Sequence, residues 1–400
     1  MNRLAALAVA AFALPCQAAP WEFSAPLAVT PAPQPGVFHQ LDSAGRKHVA
    51  ISGDSVGIVW EENRNGISQV YVAFKPLAAK AFSRQRVSAG NNAVAPVIAA
   101  LGTDRFLLAW EQDGGIWVRA VDAGALGPAE RIAPQAEQVS IAAADGKIFV
   151  VWNQHVDRFS RIRIAPLKVT GNAVRVPEGS VHDVDVAPPL AEQIYPDVVV
   201  TPTGVTVAWE DRRHGHTVLL QAHSSDGRRF NAPQLLNEQS PARSEAYGKG
   251  TGVARVALAR HGQRGAAAVW LDKRDFLSGY DVYAGFSRDD ARFGSNERVQ
   301  DDFGNNISQW HAAVAADGAG RVAVAWDDDR DGTADLWLAW PVGAGQWSEN
   351  LAVPGASGAG FQSGPALVFD AAGNLHLVWV ERETLESPTR LRYSVGRFLK

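Results

Sequence analysis

Residues 311–354 read HAAVAADGAGRVAVAWDDDRDGTADLWLAWPVGAGQWSENLAVP. HAAVAAD (311–317) is a short apolar run, and the turn GAG (318–320) leads into a second, RVAVAW (321–326). The acidic stretch DDDRDGTAD (327–335) precedes a third run, LWLAW (336–340), and ENLAVP (349–354) is a fourth. Short runs of this kind bounded by Gly, Asp and Asn are strands. In the second run Val322, Val324 and Trp326 share one face, and Ala323 and Ala325 the other. A strand apolar on both faces is buried on both. Large residues on one side and small on the other let one sheet stack on the next.

The same order recurs around six further tryptophans: GIVWEENRNG (57–66), LLAWEQDGG (107–115), FVVWNQHVD (149–157), TVAWEDRRHG (206–215), AAVWLDKRD (267–275) and LVWVERE (377–383). With Trp326, the repeat tryptophans fall at 60, 110, 152, 209, 270, 326 and 379, spaced by 50, 42, 57, 61, 56 and 53 residues. Four strands per unit at this period describe an all-β, seven-bladed β-propeller. The last unit stops after its third strand, TRLRYSVGRF (389–398). The missing fourth strand stands at the other end of the chain as FSAPLAVT (23–30), which matches FNAPQLLN (230–237) and WSENLAVP (347–354). The N-terminal strand is therefore expected to complete the last blade and close the ring, removing the exposed sheet edges.

The formal net charge of −4 gives no electrostatic reason for a nucleic-acid partner. Arg3, the apolar run AALAVAAFAL (5–14) and the small residues at Cys16 and Ala18 read as a secretory signal over 1–18, leaving one propeller domain over 19–400. That run is too short to span a bilayer, and no transmembrane segment is expected. Cys16 stands where a lipoprotein cysteine would, but Pro15 before it fits that pattern poorly. A chain cut after Ala18 contains no cysteine and rests on its core alone. The expectation is a periplasmic or secreted bacterial protein, monomeric, with a carbohydrate or protein ligand.

In a propeller the loops from fourth to next first strand share one face with those between second and third strands. The longest of the first kind are 177–195, 237–252 and 300–310, so one sector of that face is elaborated. They and their borders carry Asp183, Tyr195, Arg243, Glu245, Tyr247, Arg255, Trp310 and His311. Carboxylates, cations and an exposed ring around one pocket suit sugar chemistry. Polar residues in long loops are also what solvation alone requires, and Trp310 is equally suited to stack on a sugar or to cap a blade seam.

The turn W-x-D-x-R-x-G, in WEDRRHG, WLDKRD and WDDDRDG, and the S-x-D-plus-aromatic boxes SSDGRRF (224–230) and SRDDARF (287–293) make the chain resemble the sialidase-like (BNR, or Asp-box) propeller superfamily. The resemblance implies a carbohydrate-acting or carbohydrate-binding propeller, with an exo-glycosidase or polysaccharide lyase as the enzymatic forms. It implies a Tyr/Glu nucleophile pair at Tyr247 and Glu245 with Asp183 as acid/base. Arg243 and Arg255 would serve as carboxylate-binding arginines, and Trp310, His311 and Tyr195 as further substrate contacts. The R-I-P motif of family sialidases is absent; RIAP at 131–134 and 163–166 is a poor match. That absence favours the alternative, a non-catalytic glycan- or protein-binding scaffold of the envelope or the medium.

Asp327, Asp329, Asp331 and Asp335 spell D-x-D-x-D-G-x-x-D, a spacing that can converge on Ca²⁺ around a tight glycine turn. A structural reading competes with it. Asp328 and Arg330 repeat Asp211/Arg213 and Asp272/Arg274, as a brace across each hairpin would. No G-x-S-x-G, H-E-x-x-H, phosphate-loop or dinucleotide motif is present.

Overall fold

The computed structural model describes residues 20–238, 252–274, 279–288, 292–301 and 307–399. Among these, seven antiparallel sheets of four or five strands follow one another along the chain, with two small hairpins inserted. This is the expected seven-bladed propeller. Blade 4 shows the plan: Gln193–Thr201 innermost, then Gly204–Asp211, Val218–Ser224 and the short outer Gln234–Leu235. Blade 1 departs from it, because its inner strand is split into Val37–Gln40 and Val49–Ser52, both paired to Ser55–Arg64, with residues 41–48 looping between them.

The ring closes as expected, with one refinement. The N-terminal strand pairs with Arg390–Phe398 in two pieces, Trp21–Phe23 and Leu27–Ala28, rather than as one run over 23–30. Pro26 lies in the gap and has no N–H to give the ladder. Its carbonyl accepts from Arg392 Nη2 at 3.2 Å instead.

Alternation in size fixes how blades stack. Val205, Val207 and Trp209 of blade 4 pack on Val151, Ile162 and Ile164 of blade 3. The opposite face of the same strand, at Ala208, meets Val256, Ala268 and Trp270 of blade 5. The seam between blades 7 and 1 is built in the same way from Ala366 and Val378 against Ile58 and Trp60. All seven repeat tryptophans are buried to 1% exposure or less, and truncating any one to alanine would cost about 3–5 kcal/mol.

The W-x-D-x-R turn is a brace, as its repetition implied. Trp209, Trp270 and Trp326 donate their indole N–H to Asp211, Asp272 and Asp328 at 3.0, 3.1 and 2.9 Å. Arg213, Arg274 and Arg330 close onto the same carboxylates at 2.8, 2.6 and 2.6 Å. Blades 2 and 3 use glutamine instead, with Trp110 donating to Gln112 and Trp152 to Gln154. On the other end of blade 4, the box at 224–230 folds as a turn. Asp226 Oδ1 accepts the N–H groups of Arg228 and Arg229, and Ser224 Oγ accepts that of Gly227.

Candidate functional site

The inner strands of blades 2 to 7 break register near their start, and that of blade 1 is split at the same place. The residue in the break has a left-handed backbone in every blade: Arg46, Ala95, Gln138, Tyr195, Arg255, His311 and Gly364, with φ between 50° and 62°. Arg46 is the blade 1 member because His48 pairs with Val59 there as Asp197 pairs with Ala208 in blade 4. Six of the seven are not glycine, and each such conformation costs about 1–3 kcal/mol. Bulges of this kind re-aim side chains and gather near functional sites. Here they form a ring at the mouth of the central channel, whose wall continues through Ile98, Ile141, Val198, Leu258, Val314 and Leu367.

The ring is held by the residue directly after the repeat tryptophan of the preceding blade. Glu111 accepts the N–H of Gln138 at 2.7 Å, Glu210 that of Arg255 at 2.8 Å, and Asp327 that of Gly364 at 2.9 Å. In blade 1 Glu61 lies at the same position near the Ala95 N–H, and it accepts from Ser68 Oγ at 2.6 Å. Where blade 3 offers Asn153, its amide holds the Gln138 side chain, which accepts from Tyr195 N–H. In blades 5 and 7 this position is Leu271 and Val380. The bulge residues facing those two seams are His311 and Arg46, whose side chains bond within their own blades, to Asp327 and to the Leu41 carbonyl. Burial pushes Glu111 up to about 7, against the Gln138 N–H and helped by Glu137, Glu61 and Asp42.

Loop 41–48 crosses the channel mouth. Lys47 Nζ reaches Asp197 Oδ1 at 2.7 Å, and Asp197 also accepts from Ser140 Oγ and from the N–H of Leu258, at 2.6 Å each. Lys47 donates as well to the carbonyls of Ile141 and Val198. One buried ion pair thus ties blades 1, 3, 4 and 5 across the axis. Gly45 packs so closely on Asp197 that a Cβ there would lie 2.2 Å from its carboxylate.

Above this plug sits Asp42, half-exposed, with Arg46 Nη2 at 3.6 Å and Arg255 Nη2 at 3.8 Å. Burial works to raise its pKa, but Arg46, Arg255, His48 and His311 outweigh it and hold the carboxyl below its usual value. Burial lowers Arg46 to about 10 despite Asp42 and Asp327 nearby. Arg255 lies flat on the Tyr195 ring, 3.9 Å from its centroid. His311 directs Nδ1 to Asp327 Oδ1 at 2.8 Å, and among the described residues Nε2 on this half-exposed ring has no protein partner. From Asp42 and His311 a cleft of about 330 Å³ runs over the seam of blades 7 and 1, past Gly364 and Val380, to His39 and Arg382. An imidazole oriented by a carboxylate, beside two guanidinium groups, can take a proton from an anionic molecule.

Of the residues expected from sequence, Tyr195, Arg255, His311 and Asp327 reach this rim. Trp310 adjoins it, 46% exposed with its ring 5.5 Å from Tyr280. Asp183 is not brought there; it lies in the outer strand His182–Asp183 of blade 3, paired with Arg163 at 2.9 Å. Arg243, Glu245 and Tyr247 lie outside the described residues. The acidic run at 327–335 diverges. Asp327 faces the rim, Asp328 the brace, and Asp335 accepts from Gly358 N–H at 2.8 Å. Asp329 and Asp331 stay on the hairpin, where the Asp329 carbonyl accepts from Gly332. Among the described residues no group of three or more His, Cys, Asp or Glu is placed to hold a metal ion. Asp42, Arg46, His48 and Glu111 were not anticipated. The bulges left one cue, since Pro96, Pro196 and Pro365 each follow a bulge residue directly, and proline inside a strand marks a bulge.

No family model and no curated protein matches the chain. Solved structures do match in fold. A protein of unknown function from Dyadobacter fermentans superposes with a TM-score of 0.54 at 10% identity, over 95% of this chain and 99% of that one. The polysaccharide lyase Uly1 superposes with a TM-score of 0.58 at 8% identity, over 88% and 90%. A looser likeness, TM-score 0.43 at 12% identity over 72% and 89%, is to the GH93 alpha-L-arabinofuranosidase of Fusarium graminearum. Among the described residues no helix is long and apolar enough to cross a membrane.

Proposed function

We propose that this is an exported propeller that cleaves acidic polysaccharide by β-elimination, with the bulge ring as its active site. The observation that carries the proposal is the His311–Asp327 pair at 2.8 Å beside Arg46 and Arg255. In a uronate the proton next to the carboxylate becomes removable once that carboxylate is neutralised by cations. His311 Nε2 takes that proton; Asp327 fixes the imidazole tautomer and steadies the imidazolium that forms. The electron pair left on carbon forms the new carbon–carbon double bond as the glycosidic C–O bond breaks. Tyr195, stacked under Arg255, gives its proton to the leaving oxygen. The fold likeness to a protein named as a polysaccharide lyase supports this reading, and so does the signal-like segment at 1–18 for export. The Asp226 turn supports kinship with sialidase-like propellers at the level of scaffold.

The test is mass spectrometry of uronate-containing and neutral polysaccharides incubated with the purified protein. Unsaturated products with no added water are expected from uronate chains alone, and His311→Asn should abolish them. Products that have gained water would replace elimination by hydrolysis. A folded protein that yields no product from any member would leave a binding propeller.

A further inference from the structure

We propose that Asp42 is a built-in occupant of the anion site, displaced when a uronate carboxylate binds, and that this competition makes the site select charged sugars over neutral ones. The inference rests on the reading of the rim as a polysaccharide site and concerns how that site chooses its ligand.

Two guanidinium groups converge on one carboxylate without satisfying it. The separations of 3.6 and 3.8 Å to Asp42 are beyond hydrogen-bond length, whereas the same kind of pair closes to 2.6 Å at Arg274–Asp272 and Arg330–Asp328. A guanidinium carries five N–H donors. Among the described residues the Arg46 side chain, 5% exposed, makes one hydrogen bond, to the Leu41 carbonyl at 3.3 Å. The Arg255 side chain makes none and rests on Tyr195. A buried cation with most of its donors unused is costly unless an anion completes it. A planar carboxylate is the group that a guanidinium fork grips in bidentate fashion.

Asp42 is also the part of its loop free to leave. Lys47 is anchored through Asp197, Gly45 is wedged against that carboxylate, and His48 is tied to Ser43 at 3.2 Å. Asp42 is 52% exposed and held by charge alone. Its carboxylate therefore stands where a ligand carboxylate belongs and lowers the apparent affinity of any ligand that must replace it. A ligand with its own carboxylate restores the charge balance on displacing Asp42. A neutral sugar would leave two cations bare.

The experiment is isothermal titration of galacturonate and glucuronate tetrasaccharides into wild type, Asp42→Asn and Asp42→Asn/Arg255→Gln, at one ionic strength, with thermal melts to confirm folding. Asp42→Asn should bind at least tenfold tighter than wild type, and adding Arg255→Gln should cancel that gain. A cellulose tetrasaccharide should bind none of the three. If wild type binds and Asp42→Asn binds equally or more weakly, Asp42 contacts the sugar itself and the competition is refuted, while the uronate site stands. If no variant binds either uronate, the competition and the proposed site both fall.

Discussion

Asp327 and Asp328 are neighbours in sequence with opposite work. Asp328 is fully buried in the brace, where it accepts from Trp326 and from Arg330. Asp327 faces the channel mouth, where it orients His311 and holds the Gly364 N–H. The division recurs between Glu210 and Asp211. A strand sends successive side chains to opposite faces, so one step along the chain separates scaffold from site. The brace is saturated at short distances. The rim keeps charge that its own contacts leave incomplete.

The largest effect should come from the brace. Asp211 is wholly buried and serves Trp209, Arg213 and Gln193, the last at 3.0 Å. Asp211→Ala strands the Trp209 indole N–H and leaves Arg213 and Gln193 with Asp185 alone, and breaking a buried pair from one side costs about 3–5 kcal/mol. Urea unfolding should show that loss. Burial tends to raise the Asp211 pKa, but Arg213 and Gln193 bring it below the usual value. A depressed folded pKa stabilises above the unfolded value and is lost as pH falls. Wild type should therefore approach the variant's stability below about pH 4. A gap that persists unchanged at low pH would show that packing, and not the ion pair, is what the variant lost.

The rim comes next. Asp327→Asn keeps an acceptor for Gly364 but removes the charge that orients His311, and should lower the rate of the proposed elimination about 100-fold or more with little change in melting temperature. A nitrogen NMR spectrum of His311 should show the tautomer shift without any substrate. An unchanged tautomer would mean that Asp327 serves the ring of bulges only.

How far each half was legible follows from the same geometry. The tryptophan period and the repeated Asp–Arg pair are local patterns, and they named both the propeller and its brace. The rim depends on φ angles that Ala95, Gln138, Tyr195, Arg255 and His311 adopt under tertiary constraint, and nothing in those residue types announces a left-handed backbone. Arg255, Tyr195 and His311 were found because they border long loops. Asp42 and Arg46 were not, because they sit in the loop that splits the inner strand of blade 1 and carries no repeat signature. The acidic run at 327–335 looked convergent because it is contiguous, but it spans the end of one strand, a hairpin turn and the start of the next.

Glu111 tests whether the rim carboxylates carry a stability cost. Burial raises its pKa to about 7, so the folded state holds a proton that the unfolded chain releases above its ordinary value near 4.5. Stability from this group is full below that value and lost as pH rises toward 7. Glu111→Gln keeps an oxygen for the Gln138 N–H and removes the charge. It should melt like wild type at pH 4 and be more stable by about 1–3 kcal/mol at pH 8. Equal stability at both values would show that solvent or a bound cation relieves the buried charge.

The smallest effect should fall on Asp183, which sequence placed among the catalytic residues. Its partner Arg163 is 27% exposed and Asp183 itself 43% exposed, so the pair is screened and worth about 0–1 kcal/mol. Asp183→Asn should leave the melting temperature within about a degree or two and leave turnover of any detected substrate intact. It is the control for Asp327→Asn, since both remove one carboxylate charge from the same protein, one at the rim and one on an outer strand. Equal loss of turnover in the two variants would mean that the catalytic centre extends outward along blade 3 and that the bulge ring does not bound it.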